Sequence, residues 1–126
     1  MERHTLYEPL LRDLWACAGE RLDLVSSELT LLETLVVPMR LRDVALQQAY
    51  EHALLDTDLR LLPLTRDVLC RAAGLRAAIP ALHTPDALHA ATAIGCGCAG
   101  FITNDPGFRR VPGLPVILLD RFLQEG

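Results

Sequence analysis

Hydrophobic positions fall in short blocks whose period changes along the chain. Leu6, Leu10, Leu11 and Leu14 recur at helical spacing, which predicts a helix from Leu6 to Ala18. Asp23-Leu24-Val25 then reads as a short strand. Ser26 and Ser27 supply a cap, and a helix from Glu28 to Val37 is expected to stop at Pro38. Helical periodicity returns from Arg42 to Leu54, and Asp58 to Leu62 reads as a second strand closed by Pro63. Thr65 is placed to cap a helix from Arg66 to Ala78, which ends before Pro80.

The clearest local signal follows. In His83-Thr84-Pro85-Asp86-Ala87-Leu88, threonine suits the cap, proline the first helical position, and an acid the first turn. This helix runs through Ala90, Ala91 and Ala93 to Gly95 and Gly97. Phe101-Ile102-Thr103 is a buried strand ending in the turn sequence Asn104-Asp105-Pro106-Gly107, and Val116 to Leu119 is the last strand. Strands alternating with helices imply an α/β fold whose parallel sheet is covered by helices on both faces. No repeat or linker interrupts the pattern, so residues 1–126 are expected to form a single domain.

Composition narrows the chemistry. Hydrophobic residues make up 51% of the 126 residues and charged ones 22%, enough apolar material for a core. No apolar run approaches a membrane span and no leader opens the chain, so a cytoplasmic protein is expected. The four cysteines then call for no disulfide framework. A net charge of −4 argues against a general nucleic-acid coat but not against a nuclease, since a divalent ion turns an acidic pocket electropositive. All 12 basic residues are arginine. That excludes P-loop and Schiff-base lysine chemistry. It also counts against a receiver-like signalling domain, which wants a lysine near the last strands and an acid pair after the first.

Ligands of a parallel sheet collect beyond the carboxyl ends of its strands, where the helices begin. Asp105 lies just past one strand, and Asp86 lies in the first turn of the helix before it. That helix descends ~15 Å at 1.5 Å per residue, and the strand climbs back ~13 Å at 3.3 Å per residue. Both acids should therefore return to one edge. Glu33 sits beside an apolar stripe made by Leu29, Leu32, Val36 and Val37, where a carboxylate is costly without a partner. The commonplace alternatives are a helix-dipole acid for Asp86, a turn former for Asp105, and a snorkelling or arginine-paired Glu33. Three oxygen donors suit a hard ion, Mg²⁺ or Mn²⁺. A zinc site from Cys96, Cys98, His83 and His89 is disfavoured by its spacing. His89, one turn after Asp86, is read as a hydrogen-bonded packing residue before a substrate contact.

The run Thr84-Pro85-Asp86-Ala87-Leu88-His89-Ala90-Ala91-Thr92-Ala93, followed by Phe101-Ile102-Thr103-Asn104-Asp105-Pro106-Gly107-Phe108, resembles the C-terminal half of PIN domains, nearest to the VapC-type toxins of toxin–antitoxin pairs. Ser26-Ser27-Glu28-Leu29-Thr30-Leu31-Leu32-Glu33 resembles their early helix, with Glu33 in the place of its glutamate. The resemblance implies a three-layer PIN-like parallel sheet flanked by helices and an Mg²⁺- or Mn²⁺-dependent endoribonuclease. Glu33, Asp86 and Asp105 would be its catalytic, metal-holding acids, and Thr103 and Asn104 its supporting polar residues near the scissile phosphate. It further implies an RNA substrate, an antitoxin partner and a homodimer. Arg109 and Arg110 either grip RNA phosphates or an antitoxin carboxylate, or form a solvated loop pair. Such domains open with a central strand ending in aspartate, and nothing in Met1–Pro9 reads as one. The first central strand is therefore expected to be missing, through a late start codon or a truncated gene. The accompanying alternative is an inactive remnant that only binds antitoxin.

Overall fold

The computed structural model describes residues 15–17 and 23–118, and the structural statements below concern those residues. In chain order the elements are β1 (Trp15–Cys17), β2 (Asp23–Ser27), α1 (Leu29–Arg40), α2 (Val44–Leu55), β3 (Arg60–Leu62), α3 (Arg66–Ala78), α4 (Thr84–Cys96), β4 (Cys98–Thr103), a 3-10 helix (Pro106–Arg110) and β5 (Val116–Leu118). The strands form one sheet in the order β3-β2-β1-β4-β5. The class is α/β, as the alternation implied.

The sheet is not wholly parallel. β2 pairs with β3 and β4 with β5 in parallel, whereas β1 runs antiparallel to both of its neighbours, β2 and β4. Trp15–Cys17 is thus a strand where periodicity predicted the end of a helix; residues 6–14 and 18 of that predicted helix lie outside the described residues. The physical reason is the position. Between β2 and β4 the backbone of these three residues finds ladder partners on two sides, and that outweighs a weak local preference. The mid-sheet place from which a strand was expected to be missing is occupied by β1.

The helix starts follow from short polar side chains. Ser27 Oγ accepts from the Leu29 amide at 3.0 Å, and Ser26 and Thr30 hydroxyls meet at 2.7 Å. Thr65 Oγ1 accepts from the Val68 amide at 3.2 Å, which fixes the start of α3 as expected. Helix α4 begins at Thr84, so the cap position falls on His83, one residue before the predicted cap.

Helix α1 does not stop at Pro38. It continues to Arg40 with Pro38 fully buried inside it. A proline this close to the end removes one hydrogen bond and leaves only a short stretch to be disturbed, and burial of its ring offsets that loss. Arg42, at φ 55, then closes the helix: its amide reaches Met39 O at 3.2 Å, and the Asp43 amide reaches Pro38 O at 2.9 Å. Asp43 goes on to cap α2 through a 3.1 Å bond from the Leu46 amide.

The main core lies where α4 crosses the sheet. Ala87, Ala90, Ala91 and Ala93 are fully buried together with Val25 of β2 and Phe101 of β4. Alanines let the helix axis approach the strands closely, so α4 is held by backbone proximity rather than by long side chains. Phe108 caps the arrangement with its ring 4.7 Å from that of Phe101. A second, smaller cluster around Tyr50 and Leu54 joins α1 to α2. Among the described residues no helix is long and apolar enough to cross a membrane.

Gly97 ends α4 at φ 67, and a Cβ there would meet nothing within 4 Å. Its value is therefore purely conformational. Gly97→Ala should destabilise the protein by about 1 kcal/mol in urea unfolding, the cost of a left-handed residue with a Cβ; an unchanged midpoint would mean the loop re-forms without that conformation.

Candidate active site

Asp105 is fixed by the backbone around it. β4 ends at Thr103, whose buried hydroxyl accepts from the Asp105 amide at 3.1 Å. Asp105 Oδ1 in turn accepts from the Gly107 amide at 2.8 Å and caps the 3-10 helix. The turn-forming role and the site role are thus one conformation. A Cβ at Gly107 would lie 3.0 Å from Asp105 Oδ1, a tight contact that would ask the carboxylate to shift by a few tenths of an ångström. Oδ2 makes no hydrogen bond among the described residues. Through its hydroxyl, Thr103 steadies the Asp105 backbone from beneath. Asn104 Oδ1 is buried with no hydrogen-bond partner among the described residues, a polar atom left for something the protein alone does not supply.

Asp86 stands in the first turn of α4, directly after Pro85. It shares a cavity of about 350 Å³ with Asp105, walled by Ile79, Leu82 and Phe108 and bordered by His83 and Arg110. The helix and the strand are both longer than predicted, 13 and 6 residues, but their lengths still nearly cancel and bring the two acids to one edge. Asp86 is half-buried and makes no hydrogen bond or ion pair among the described residues. Burial pushes its carboxyl above the ordinary value of 3.8; the charge of Asp105 raises it further and Glu33 adds to that, while His89 and His83 pull it down. Arg110 lines the cavity, whereas Arg109, although exposed on the same 3-10 helix, is not among the wall residues.

Glu33 found its partner. It leaves α1 to meet His89 of α4, with Nε2 and Oε1 2.6 Å apart. His89 is only 3% exposed, against 35% for the glutamate side chain. The partner expected for a carboxylate beside an apolar stripe is therefore a buried histidine, not an arginine. Glu33 does not line the cavity; its charge reaches Asp86. Among the described residues no group of three or more His, Cys, Asp and Glu side chains is drawn close enough to hold a metal ion as it stands. The structure thus brings Asp86 and Asp105 to one cavity and sets Glu33 within electrostatic reach of Asp86. Cys96 donates to Ala93 O at the end of α4.

The donor chemistry fits a hard divalent ion: two carboxylates converging on one cavity, one of them raised in pKa by burial and by its acidic neighbour, and an orphaned amide oxygen nearby. His83 and Gly107 were not singled out as site residues by sequence. Their signals were present, one immediately before Thr84-Pro85-Asp86 and the other two residues after Asp105.

The PIN domain family model matches residues 2–114, and the chain belongs to that family. PIN domains are generally nucleases and typically use divalent metal ions. No curated protein and no solved structure matches the chain significantly.

The raised Asp86 carboxyl has a consequence for stability. As pH rises from 3.8 towards the higher folded value, the folded state keeps a proton that the unfolded state has released, so this group's contribution to stability falls. Above the folded value the cost is constant, and below 3.8 it disappears. In EDTA, Asp86→Asn should therefore melt at a higher temperature than the parent at pH 7, with the gap closing near pH 3.5 to 4. A variant less stable than the parent at pH 7 would show that Asp86 is paired after all.

Proposed function

We propose that this protein is an endoribonuclease of the VapC toxin type, cutting RNA phosphodiester bonds with Mg²⁺ or Mn²⁺ held by Asp86, Asp105 and Glu33. The observation that carries the reading is Asp86: a half-buried carboxylate beside a second one, raised in pKa, with no cationic partner to balance the pair. When bound, a divalent ion neutralises such a pair, grips a phosphodiester and lowers the pKa of a bound water. The protein's own contributions are distinct. Asp105 presents one oxygen while the Gly107 amide holds the other, and Asn104 offers its amide oxygen beside the turn. Arg110, at the cavity wall, places positive charge where an RNA phosphate approaches, with Arg109 next to it on the outer surface.

The reading extends to the setting. The chain acts as a single three-layer domain in the cytoplasm, paired with a second copy and inhibited by an antitoxin. Leu32, Val36, Val37, Met39 and Leu55 on α1 and α2 are exposed and give a protein partner an apolar face to bury, which supports the partner half of this proposal.

The purified protein should cleave single-stranded RNA in the presence of Mg²⁺ or Mn²⁺ and stop when EDTA is added. Asp105→Asn should reduce the rate by at least about 100-fold, the upper end of what losing a mere supporting contact to a metal ligand costs, with an unchanged circular dichroism spectrum. RNA left intact by the parent at any metal concentration would leave the catalytically inactive, antitoxin-binding form of the fold as the better reading.

A further inference from the structure

We propose that His89 is the positioning residue for Glu33: it holds one carboxylate oxygen from inside the protein so that the other is presented to the metal ion. The inference rests on the metal-site reading above and names a residue that reading leaves without a role. Glu33 and His89 are 56 residues apart, on helices α1 and α4, and meet at 2.6 Å. A carboxylate accepts, so the ring Nε2–H donates. His89 is almost fully buried, so water does not compete for the donor, whereas Glu33 is about one-third exposed and its Oε2 makes no hydrogen bond among the described residues.

That division of a carboxylate is what a metal ligand requires. A glutamate on the outer side of a helix has three rotatable bonds and would spread over many rotamers. A fixed donor on one oxygen selects the rotamer before the ion arrives. Metal-binding carboxylates are characteristically held this way by neighbouring donors. Asp105 shows the same division in this protein, with the Gly107 amide as its donor. His89 also stands three residues after Asp86, on the same side of α4. One helix therefore carries an acid of the site and the clamp for another, and any shift of α4 moves both together.

The test is Mn²⁺ affinity, measured by calorimetry on the full chain with five proteins: the parent, His89→Ala, His89→Gln, Glu33→Gln and the double variant His89→Ala/Glu33→Gln. His89→Ala should weaken binding about 10- to 100-fold. His89→Gln, which keeps a side-chain N–H at similar reach, should recover most of that loss. The double variant should bind no more weakly than Glu33→Gln alone, as expected of a residue that serves the ion through that carboxylate. His89→Phe fills the buried space without a donor and takes the place of His89→Ala if the latter does not fold. Binding indifferent to His89, or weakened equally with and without the Glu33 carboxylate, would overturn the positioning role alone. A parent protein that takes up no Mn²⁺ would overturn the metal reading and this inference with it.

Discussion

Two carboxylates brought to one half-dry cavity repel each other, and at Asp86 the nearby His89 and His83 offset burial and that repulsion only in part. Taking a charge partly out of water beside a like charge is unfavourable unless a cation joins them. The rest of the structure serves to hold that arrangement in place. Alanines at 87, 90, 91 and 93 bring α4 close to β2 and β4, so its first turn is fixed relative to the strand end. Phe101 and Phe108 lock the Asp105 turn against the same core. The energy that packs the core thereby sustains an electrostatic arrangement that would otherwise relax.

The sheet shows how a backbone requirement overrides a side-chain pattern. Trp15–Cys17 lies within a stretch of helical periodicity, yet its three residues pair with β2 on one side and β4 on the other. A gap at that place would leave the amide and carbonyl groups of two interior strands without partners. Satisfying them requires only some extended backbone of suitable length, not a particular sequence. That is why direction could change, to antiparallel, without breaking the strand order.

Much of the site was legible because it depends on local chemistry. Thr65 as a cap, Asp86 in a first turn after proline, and Asp105 in a turn after a strand are all set by residues within a few positions. Chain geometry then carried the two aspartates to one edge. What escaped the sequence was set by distant partners. Pro38 read as a stop because its own neighbours say so, but the burial of its ring and the closure at Arg42 come from packing and from a conformation unusual for arginine. For Glu33 the sequence supplied the demand for a partner but not its identity, since the residue that meets it lies 56 positions away on another helix.

Glu33 and Asp105 answer the same problem in different ways. An acid offered to an ion must be ordered yet not satisfied, and a carboxylate has two oxygens with which to manage both. Asp105 is short, so a backbone amide two residues on can fix one oxygen, and glycine there leaves the carboxylate room to sit close to that amide. Glu33 is long and reaches from another helix, so no nearby amide can serve and a buried side-chain donor does instead. Asp86 has neither device. Its order comes from the first turn of α4, and burial raises its carboxyl pKa. Two of the three carboxylates are thus steadied by donors, and the third is held by its helix in a place where burial and a neighbouring acid both favour its protonated form.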